Sequence, residues 1–114
     1  MIKKLYKNYI NSLNGLKVAF KENSFILELI GGIFLLPYLF FLDSSLLLKM
    51  LILAVYFLLL AFEILNTSIE KLCDKITEEI DDDVKKIKDL ASASVFVILV
   101  ILIILIIFTF KKNL

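Results

Sequence analysis

Four polar side chains recur at helical spacing in the segment EILNTSIEKLCD, residues 63–74, directly after a long apolar run. They are Glu63, Asn66, Glu70 and Asp74. On an α-helix, which turns by about 100° per residue, all four lie within a sector of about 80°. Carboxylate and amide oxygens grouped in this way are the ligands that a hard cation such as Mg²⁺ prefers. The stripe therefore predicts a metal site beside a membrane.

Glu63 is the deepest member of this stripe and the strongest candidate for catalysis. A carboxylate at the end of a membrane span is costly unless it is paired or hydrated, so it indicates a function by default. A purely structural role at the membrane interface is the alternative. A shielded Glu63 could act as a general base on a lipid hydroxyl.

Other charged residues flank the same ends of the predicted spans. Glu22 precedes the first span, and Lys88 with Asp89 precedes the third. If the spans bundle with these ends together, the acids Glu22, Glu63 and Glu70 would converge to hold the metal of a metal–nucleotide complex, and Lys88 would meet a phosphate. A solvated anchor is the alternative role for Lys88.

Several kinds of site are absent from the sequence. The chain has no His, and it contains neither a P-loop nor the glycine-rich loop, HRD or DFG motifs of soluble kinases. Its net charge of +1 gives no basic field for nucleic acid. The single cysteine, Cys73, is interpreted as a small filler residue, because no activating base accompanies it. Any nucleotide site must therefore be unconventional.

The elements that position these residues are predicted to be membrane helices. The chain has 114 residues, of which 61% are hydrophobic, more than a soluble domain of this size could bury. We predict one all-α membrane domain, residues 1–114, with spans at about 25–42, 46–65 and 90–110 and a charged segment at 66–89. The second span is expected to continue as one helix towards Glu79, because no Gly or Pro interrupts it. Gly31 and Gly32 are expected to permit close helix packing.

An amphipathic surface helix is predicted at about residues 3–21, with Gly15 as its expected break. Ten of the 13 lysines precede the first span or lie between the second and third, which predicts a cytoplasmic N-terminus and a cytoplasmic charged segment. No apolar core with a cleavage site follows the N-terminus at signal-peptide distance, so a multi-span protein of the bacterial cytoplasmic (inner) membrane is expected.

The motifs EILNTSIEKLCD (63–74) and KDLASASV (88–95), with GLKVAFKENSFILE (15–28) upstream, resemble those of the bacterial integral-membrane diacylglycerol kinase and undecaprenol kinase family. The resemblance covers nearly the whole chain. It implies a homotrimer with active sites shared between subunits, which transfers the γ-phosphate of MgATP to a lipid hydroxyl.

The resemblance also implies roles for individual residues. Glu63 matches the catalytic base, Glu22 and Glu70 match the metal-binding glutamates, and Asn66 is a supporting residue. The positions implied to contact ATP are Glu22, Glu70, Asp74, Glu79, Asp81, Lys88 and Asp89. The positions implied to contact the lipid are Ser24, Phe25, Glu28, Leu42, Asp43, Glu63 and Ser92.

The chain departs from the family pattern at the nucleotide site. Ile80 and Asp81 replace an aromatic–His pair, and there is no Arg for an N-terminal ATP contact. Glu28 stands where undecaprenol kinases often carry His, which favours diacylglycerol as the substrate. Undecaprenol is the alternative lipid, and a non-catalytic oligomeric membrane protein such as a holin is the alternative class. A holin, however, has no need for an aligned carboxylate stripe.

Overall fold

The structure, a computed structural model, describes residues 1–113 and consists of four α-helices. They are α1 (Ile2–Ala19), α2 (Asn23–Phe41), α3 (Leu46–Ile76) and α4 (Asp82–Lys112). Residues 1–113 form no β-strand. Helices α2, α3 and α4 are each long and apolar enough to cross a membrane. The prediction of an all-α protein with three membrane-spanning helices and a preceding N-terminal helix is therefore confirmed.

Polar side chains set the starts of the two longest helices. The Ser45 hydroxyl accepts a hydrogen bond from the Leu48 N–H at 3.2 Å, which caps α3. The Asp81 carboxylate accepts from the N–H groups of Asp83 and Val84 at 2.9 and 3.1 Å, which caps α4. With no internal Gly or Pro, α3 extends past its apolar part as predicted, and it ends at Ile76 rather than Glu79.

Helix α1 does not break at Gly15, so that expectation is wrong. The helix runs unbroken from Ile2 to Ala19. One internal Gly costs a helix only about 1 kcal/mol relative to Ala, which is too little to interrupt a run of otherwise helix-compatible residues. Only Ala19 of this helix is buried, and its apolar side chains Leu5 and Tyr9 are exposed. Its location on a membrane surface remains a prediction.

Helix α3 is the centre of the packing and contacts both α2 and α4. Its buried residues Ile52, Tyr56 and Leu59 follow a spacing of four and three, the pattern by which long helices pack side by side. At the far end of the bundle, the hydroxyls of Tyr38 and Thr109 form a hydrogen bond of 2.8 Å that joins α2 to α4. This packing fixes the face that α3 presents to its neighbours.

Much of the outer surface of the bundle is apolar. The side chains of Phe34, Phe40 and Phe41 are 74–82% exposed in one copy of the chain. Contiguous apolar surface of this kind is unfavourable in water and is expected of helices that face lipid or other membrane helices. The fold therefore needs a membrane around α2, α3 and α4.

Candidate active site

The polar stripe of α3 continues the face by which this helix packs in the bundle. After Leu59, the next positions on that face are Glu63 and Asn66, and their exposed fractions are only 5% and 8%. A carboxylate that merely marked the membrane surface would face water. Glu63 instead lies in the helix interface, so the packing register of α3 directs its carboxylate inward.

Two side chains from the start of α2 contact Glu63. The Ser24 hydroxyl donates a hydrogen bond of 2.6 Å to Glu63 Oε1. The Glu28 side chain neighbours Glu63, and its Oε2 atom is buried with no hydrogen-bond partner among the described residues. Ser24 and Glu28 are four residues apart, so they lie on one face of α2. The start of α2 thus surrounds the Glu63 carboxylate with hydrogen-bonding groups.

Tyr56 of α3 fixes the position of Glu28 on α2, through a contact that was not predicted from the sequence. The Tyr56 hydroxyl donates a hydrogen bond of 2.8 Å to the backbone oxygen of Glu28. Its ring packs against Gly32, where an added Cβ would overlap the hydroxyl and lie 2.6 Å from Tyr56 Cζ. Tyr56 precedes Glu63 by seven residues, which is the one signal in the sequence that places both on the same helix face.

We expect Gly32→Ala to destabilise the fold by about 1–3 kcal/mol, because the new methyl group must displace the buried Tyr56 ring. Gly31→Ala is the matched control, since a Cβ at Gly31 meets nothing within 4 Å and the gain in helix propensity is the same. Thermal unfolding in detergent micelles measures both variants. Equal midpoints for the two variants would contradict the predicted contact.

Asn66 and Glu70 form the next step of the stripe. Asn66 Nδ2 donates to Glu70 Oε1 at 3.1 Å, while Asn66 Oδ1 is buried and has no hydrogen-bond partner among the described residues. No three acidic or thiol side chains of residues 1–113 lie close enough together to hold a metal ion. One or two carboxylates are nevertheless the usual protein share of a Mg²⁺ site that also uses phosphate oxygens. The oxygen donors present therefore fit Mg²⁺ bound together with a nucleotide.

Glu22 approaches this region through an ion pair with Lys71, which the sequence analysis did not single out. Lys71 Nζ lies 2.9 Å from Glu22 Oε1, and the two side chains are 56% and 32% exposed. Lys71 adjoins Glu70 in the chain, so the contact brings the connection between α1 and α2 to the metal-site candidate on α3. An exposed ion pair contributes about 0–1 kcal/mol, so a competing ligand could replace it at little cost.

A cavity of about 580 Å³ lies where α3 ends and α4 begins. Its lining includes four residues predicted to contact ATP, together with Lys85: Asp74, Glu79, Asp81 and Lys88. Lys88 Nζ pairs with Asp74 Oδ1 at 2.5 Å, and Lys85 Nζ pairs with Asp89 Oδ2 at 2.7 Å. Two ammonium groups thus stand at one cavity among charged side chains, and an ammonium group can pair with phosphate.

The residues implied to contact the lipid separate into two groups. Ser24 and Glu28 lie against Glu63, and the buried Phe25 packs edge-on against Phe20 beside them. Leu42 and Asp43 follow the other end of α2, about 27 Å away along the helix axis. Ser92 is exposed at the start of the apolar part of α4. One copy of the chain therefore brings Ser24, Phe25 and Glu28 together near Glu63 and places Leu42 and Asp43 at the other end of α2.

An apolar groove of about 330 Å³ begins at Glu28 and runs between the helices towards the far end. Residues of all three long helices line it, among them Gly31, Leu35, Leu59, Leu102 and Ile106. Gly31 leaves open space at the wall of the groove. The groove thus leads from the half-buried Glu28 towards the apolar interior of the membrane.

Comparisons with known proteins point to one family. The family model described as prokaryotic diacylglycerol kinase matches residues 10–110. The chain is 38% identical over 89 residues to a diacylglycerol kinase of Haemophilus influenzae, covering 77% of this chain and 75% of that protein. It is 37% identical over 89 residues to a diacylglycerol kinase of Pseudomonas aeruginosa, covering 77% of this chain and 72% of that protein.

Proposed function

The chain belongs to the prokaryotic diacylglycerol kinase family and is a lipid kinase, and we propose that it transfers the γ-phosphate of ATP to the hydroxyl of diacylglycerol, forming phosphatidic acid. The observation that carries this proposal is the buried Glu63, which is the deepest member of the polar stripe of α3 and neighbours Glu28, the carboxylate that lines the apolar groove. A lipid hydroxyl and a water-borne nucleotide could meet at that position. Family membership also removes the holin alternative.

Glu63 is the general base of the proposed reaction. The lipid hydroxyl gives its proton to a Glu63 carboxylate oxygen as the lipid oxygen bonds to the γ-phosphorus. The bond between that phosphorus and the bridging oxygen breaks, and ADP leaves. Ser24 holds Glu63 Oε1 by its hydrogen bond of 2.6 Å, so the carboxylate has a defined orientation. Burial keeps water from competing for the phosphoryl group.

Glu70 and Glu22 are the residues proposed to hold Mg²⁺, with Asn66 supporting Glu70. When bound, Mg²⁺ neutralises charge on the β- and γ-phosphate oxygens. Asn66 donates to Glu70 Oε1 and thereby helps to hold the Glu70 carboxylate in place. Glu22 would join this site by giving up its ion pair with Lys71 and binding the metal instead.

The cavity at the start of α4 is proposed to receive the nucleotide. The ammonium group of Lys88 would pair with the negatively charged phosphates, and Lys85 provides a second cation at the same cavity. The carboxylate of Asp74 forms an ion pair with Lys88, and that of Asp89 forms one with Lys85, so each lysine is held in place. Glu79 and Asp81 lie on the same cavity, where Asp81 also caps α4.

The groove that begins at Glu28 is proposed to take an acyl chain of the substrate. Its lining is almost wholly apolar, and its one carboxylate, Glu28, contacts the base Glu63. A lipid bound there would place its headgroup at Glu63 and its chain in the membrane interior. Diacylglycerol is the proposed lipid because Glu28 occupies the position discussed above, and undecaprenol is the alternative.

We further propose that the chain lies in the bacterial cytoplasmic membrane with its N-terminus in the cytoplasm, and that it works as a homotrimer with shared sites. The distribution of lysines supports this orientation. The exposed apolar side chains of the bundle and the small number of acidic groups gathered in one copy favour completion of the site by a neighbouring subunit. Crosslinking in native membranes measures the subunit number.

The experiment that tests this function offers diacylglycerol and undecaprenol side by side in mixed micelles with radiolabelled MgATP. We expect labelled phosphatidic acid as the main product, formed only when lipid and Mg²⁺ are both present. Labelled undecaprenyl phosphate as the main product would keep the mechanism and change the substrate. Folded protein that labels neither lipid would contradict the proposal.

A further inference from the structure

Lys71 forms an ion pair with Glu22, one of the two carboxylates proposed to hold the metal. Its Nζ atom lies 2.9 Å from Glu22 Oε1. The other proposed metal ligand, Glu70, is the preceding residue of α3. Asp74 follows three residues later, the spacing at which side chains on a helix surface are neighbours. The ammonium group of Lys71 therefore stands at the edge of the polar stripe of α3.

The surface beside Lys71 is continuous with the cavity proposed to receive the nucleotide. A shallow cavity of about 510 Å³ is lined by Lys71, Leu72, Asp74, Lys75 and Glu78. Two of these residues, Asp74 and Glu78, also line the nucleotide cavity at the start of α4. A triphosphate that extends from the nucleotide cavity towards Glu63 therefore runs along the part of α3 that carries Lys71.

The ion pair between Lys71 and Glu22 is easily exchanged. The two side chains are 56% and 32% exposed, so water screens their attraction and the pair contributes little to folding. The ammonium group of a lysine stands at the end of a flexible four-carbon stem. It can therefore move to a new partner without any movement of α3. Loss of this pair leaves the packing of the helices unchanged.

We propose that Lys71 is a nucleotide-binding residue, which leaves Glu22 and pairs with a phosphate oxygen of ATP. This proposal rests on the proposed function, in which Glu22 binds Mg²⁺. A Glu22 carboxylate that holds the metal no longer offers its charge to Lys71, while the triphosphate brings new anionic oxygens to the same place. A triphosphate carries more negative charge than one Mg²⁺ neutralises, so a further cation beside it is favourable. Lys71 serves the phosphates nearer Glu63, and Lys88 serves those nearer α4.

Loss of the Lys71 charge should have opposite effects on the binding of nucleotide and of metal. Lys71→Met keeps an unbranched apolar stem and removes the ammonium group. We expect ATP to bind about 5- to 20-fold more weakly, because one charged hydrogen bond to phosphate is lost. Mn²⁺ without nucleotide should bind about two- to fivefold more tightly, because Glu22 no longer has a competing cation. A substitution that only disturbed the fold would weaken the binding of both.

The experiment measures both affinities on the full chain in detergent micelles without a lipid substrate. Equilibrium dialysis with a radiolabelled, non-hydrolysable ATP analogue and Mg²⁺ gives the nucleotide affinity, and the electron paramagnetic resonance signal of free Mn²⁺ gives the metal affinity. Lys71→Arg retains a cation, so both affinities should stay within about threefold of those of the unaltered protein. Lys111→Met removes an exposed lysine from the last turn of α4, at the far end of the bundle, and should change neither affinity.

Three results would overturn the role of Lys71. The first is an unchanged affinity for the ATP analogue in Lys71→Met. The second is weaker binding of both the analogue and Mn²⁺ in that variant, which would make Lys71 a structural residue. The third is a loss of nucleotide affinity in Lys71→Arg as large as that in Lys71→Met, because the positive charge persists in the arginine variant.

The role of Lys71 and the proposed function fail in distinguishable ways. If the unaltered protein labels no lipid, the proposed function fails, while the two binding measurements still report on Lys71. If lipid is labelled and only the binding results disagree, the kinase stands and Lys71 is no more than an ion-pair partner of Glu22. In the phosphorylation assay, we expect Lys71→Met to raise the KM for ATP with less than about a threefold change in kcat, in contrast to Glu63→Gln.

Discussion

We expect Glu63→Gln to lower the rate of lipid phosphorylation by about 10³-fold, within the range that general bases usually contribute. Gln retains the size of the side chain and can still accept the Ser24 hydrogen bond, but its amide does not take up a proton at neutral pH. The loss should appear in kcat, because Glu63 is the proposed acceptor of the hydroxyl proton in the chemical step. The KM for ATP should change little, since the nucleotide cavity lies further along α3.

The measurement is transfer of radiolabelled phosphate from MgATP to diacylglycerol in mixed micelles, with the unfolding midpoint recorded for each variant. Asp82→Asn is the charge-matched control, because it replaces an exposed carboxylate by an amide outside the proposed site. We expect that control to keep full activity. A Glu63→Gln protein that folds normally and retains a tenth or more of the rate would remove Glu63 from the role of base.

Glu70→Gln is expected to produce the second largest loss, about 10²-fold in kcat/KM for MgATP. Residues that only support a metal ligand typically contribute 10- to 100-fold, so a ligand should contribute at least as much. Gln removes the carboxylate charge but can still accept from Asn66, so the hydrogen bond of 3.1 Å is preserved in kind. The loss in kcat/KM therefore reflects weaker binding of the cation and not a change in the packing of Asn66.

The dependence of the rate on Mg²⁺ concentration separates these causes. We expect Glu70→Gln to need several times more Mg²⁺ for half of its own maximal rate, whereas Asp82→Asn should follow the curve of the unaltered protein. Glu70 is exposed, so its replacement should leave the unfolding midpoint nearly unchanged. An unshifted Mg²⁺ curve with a lowered rate would indicate that Glu70 does not bind the metal.

The sequence was sufficient to predict the helices, because each has a strong local signal. Long apolar runs define the spans, and the lack of Gly or Pro predicts the continuation of α3 beyond the membrane. The error at Gly15 has the opposite cause. The low helix propensity of this one glycine is a weak local effect, and the neighbouring residues on both sides favour the helix and outweigh it.

The stripe on α3 could also be predicted, since its members share one helix and only their spacing matters. Contacts between helices could not, because the rotation of α2 about its own axis is set by packing. The hydrogen bond from Ser24 to Glu63 depends on that rotation. The same limit applies to the pairing of Glu22 with Lys71. Predicted lipid contacts at both ends of α2 could not be separated without the fold.

The unbroken course of α3 has a consequence for how this chain can change during evolution. One inserted or deleted residue anywhere between Leu46 and Ile76 would turn everything beyond it by about 100° and separate the packing face from the polar stripe. Substitutions leave that phase intact, and changes of length in the connections at 42–45 and 77–81 do not alter it. We therefore expect divergent relatives to align across α3 without gaps and to differ in length mainly at its two ends.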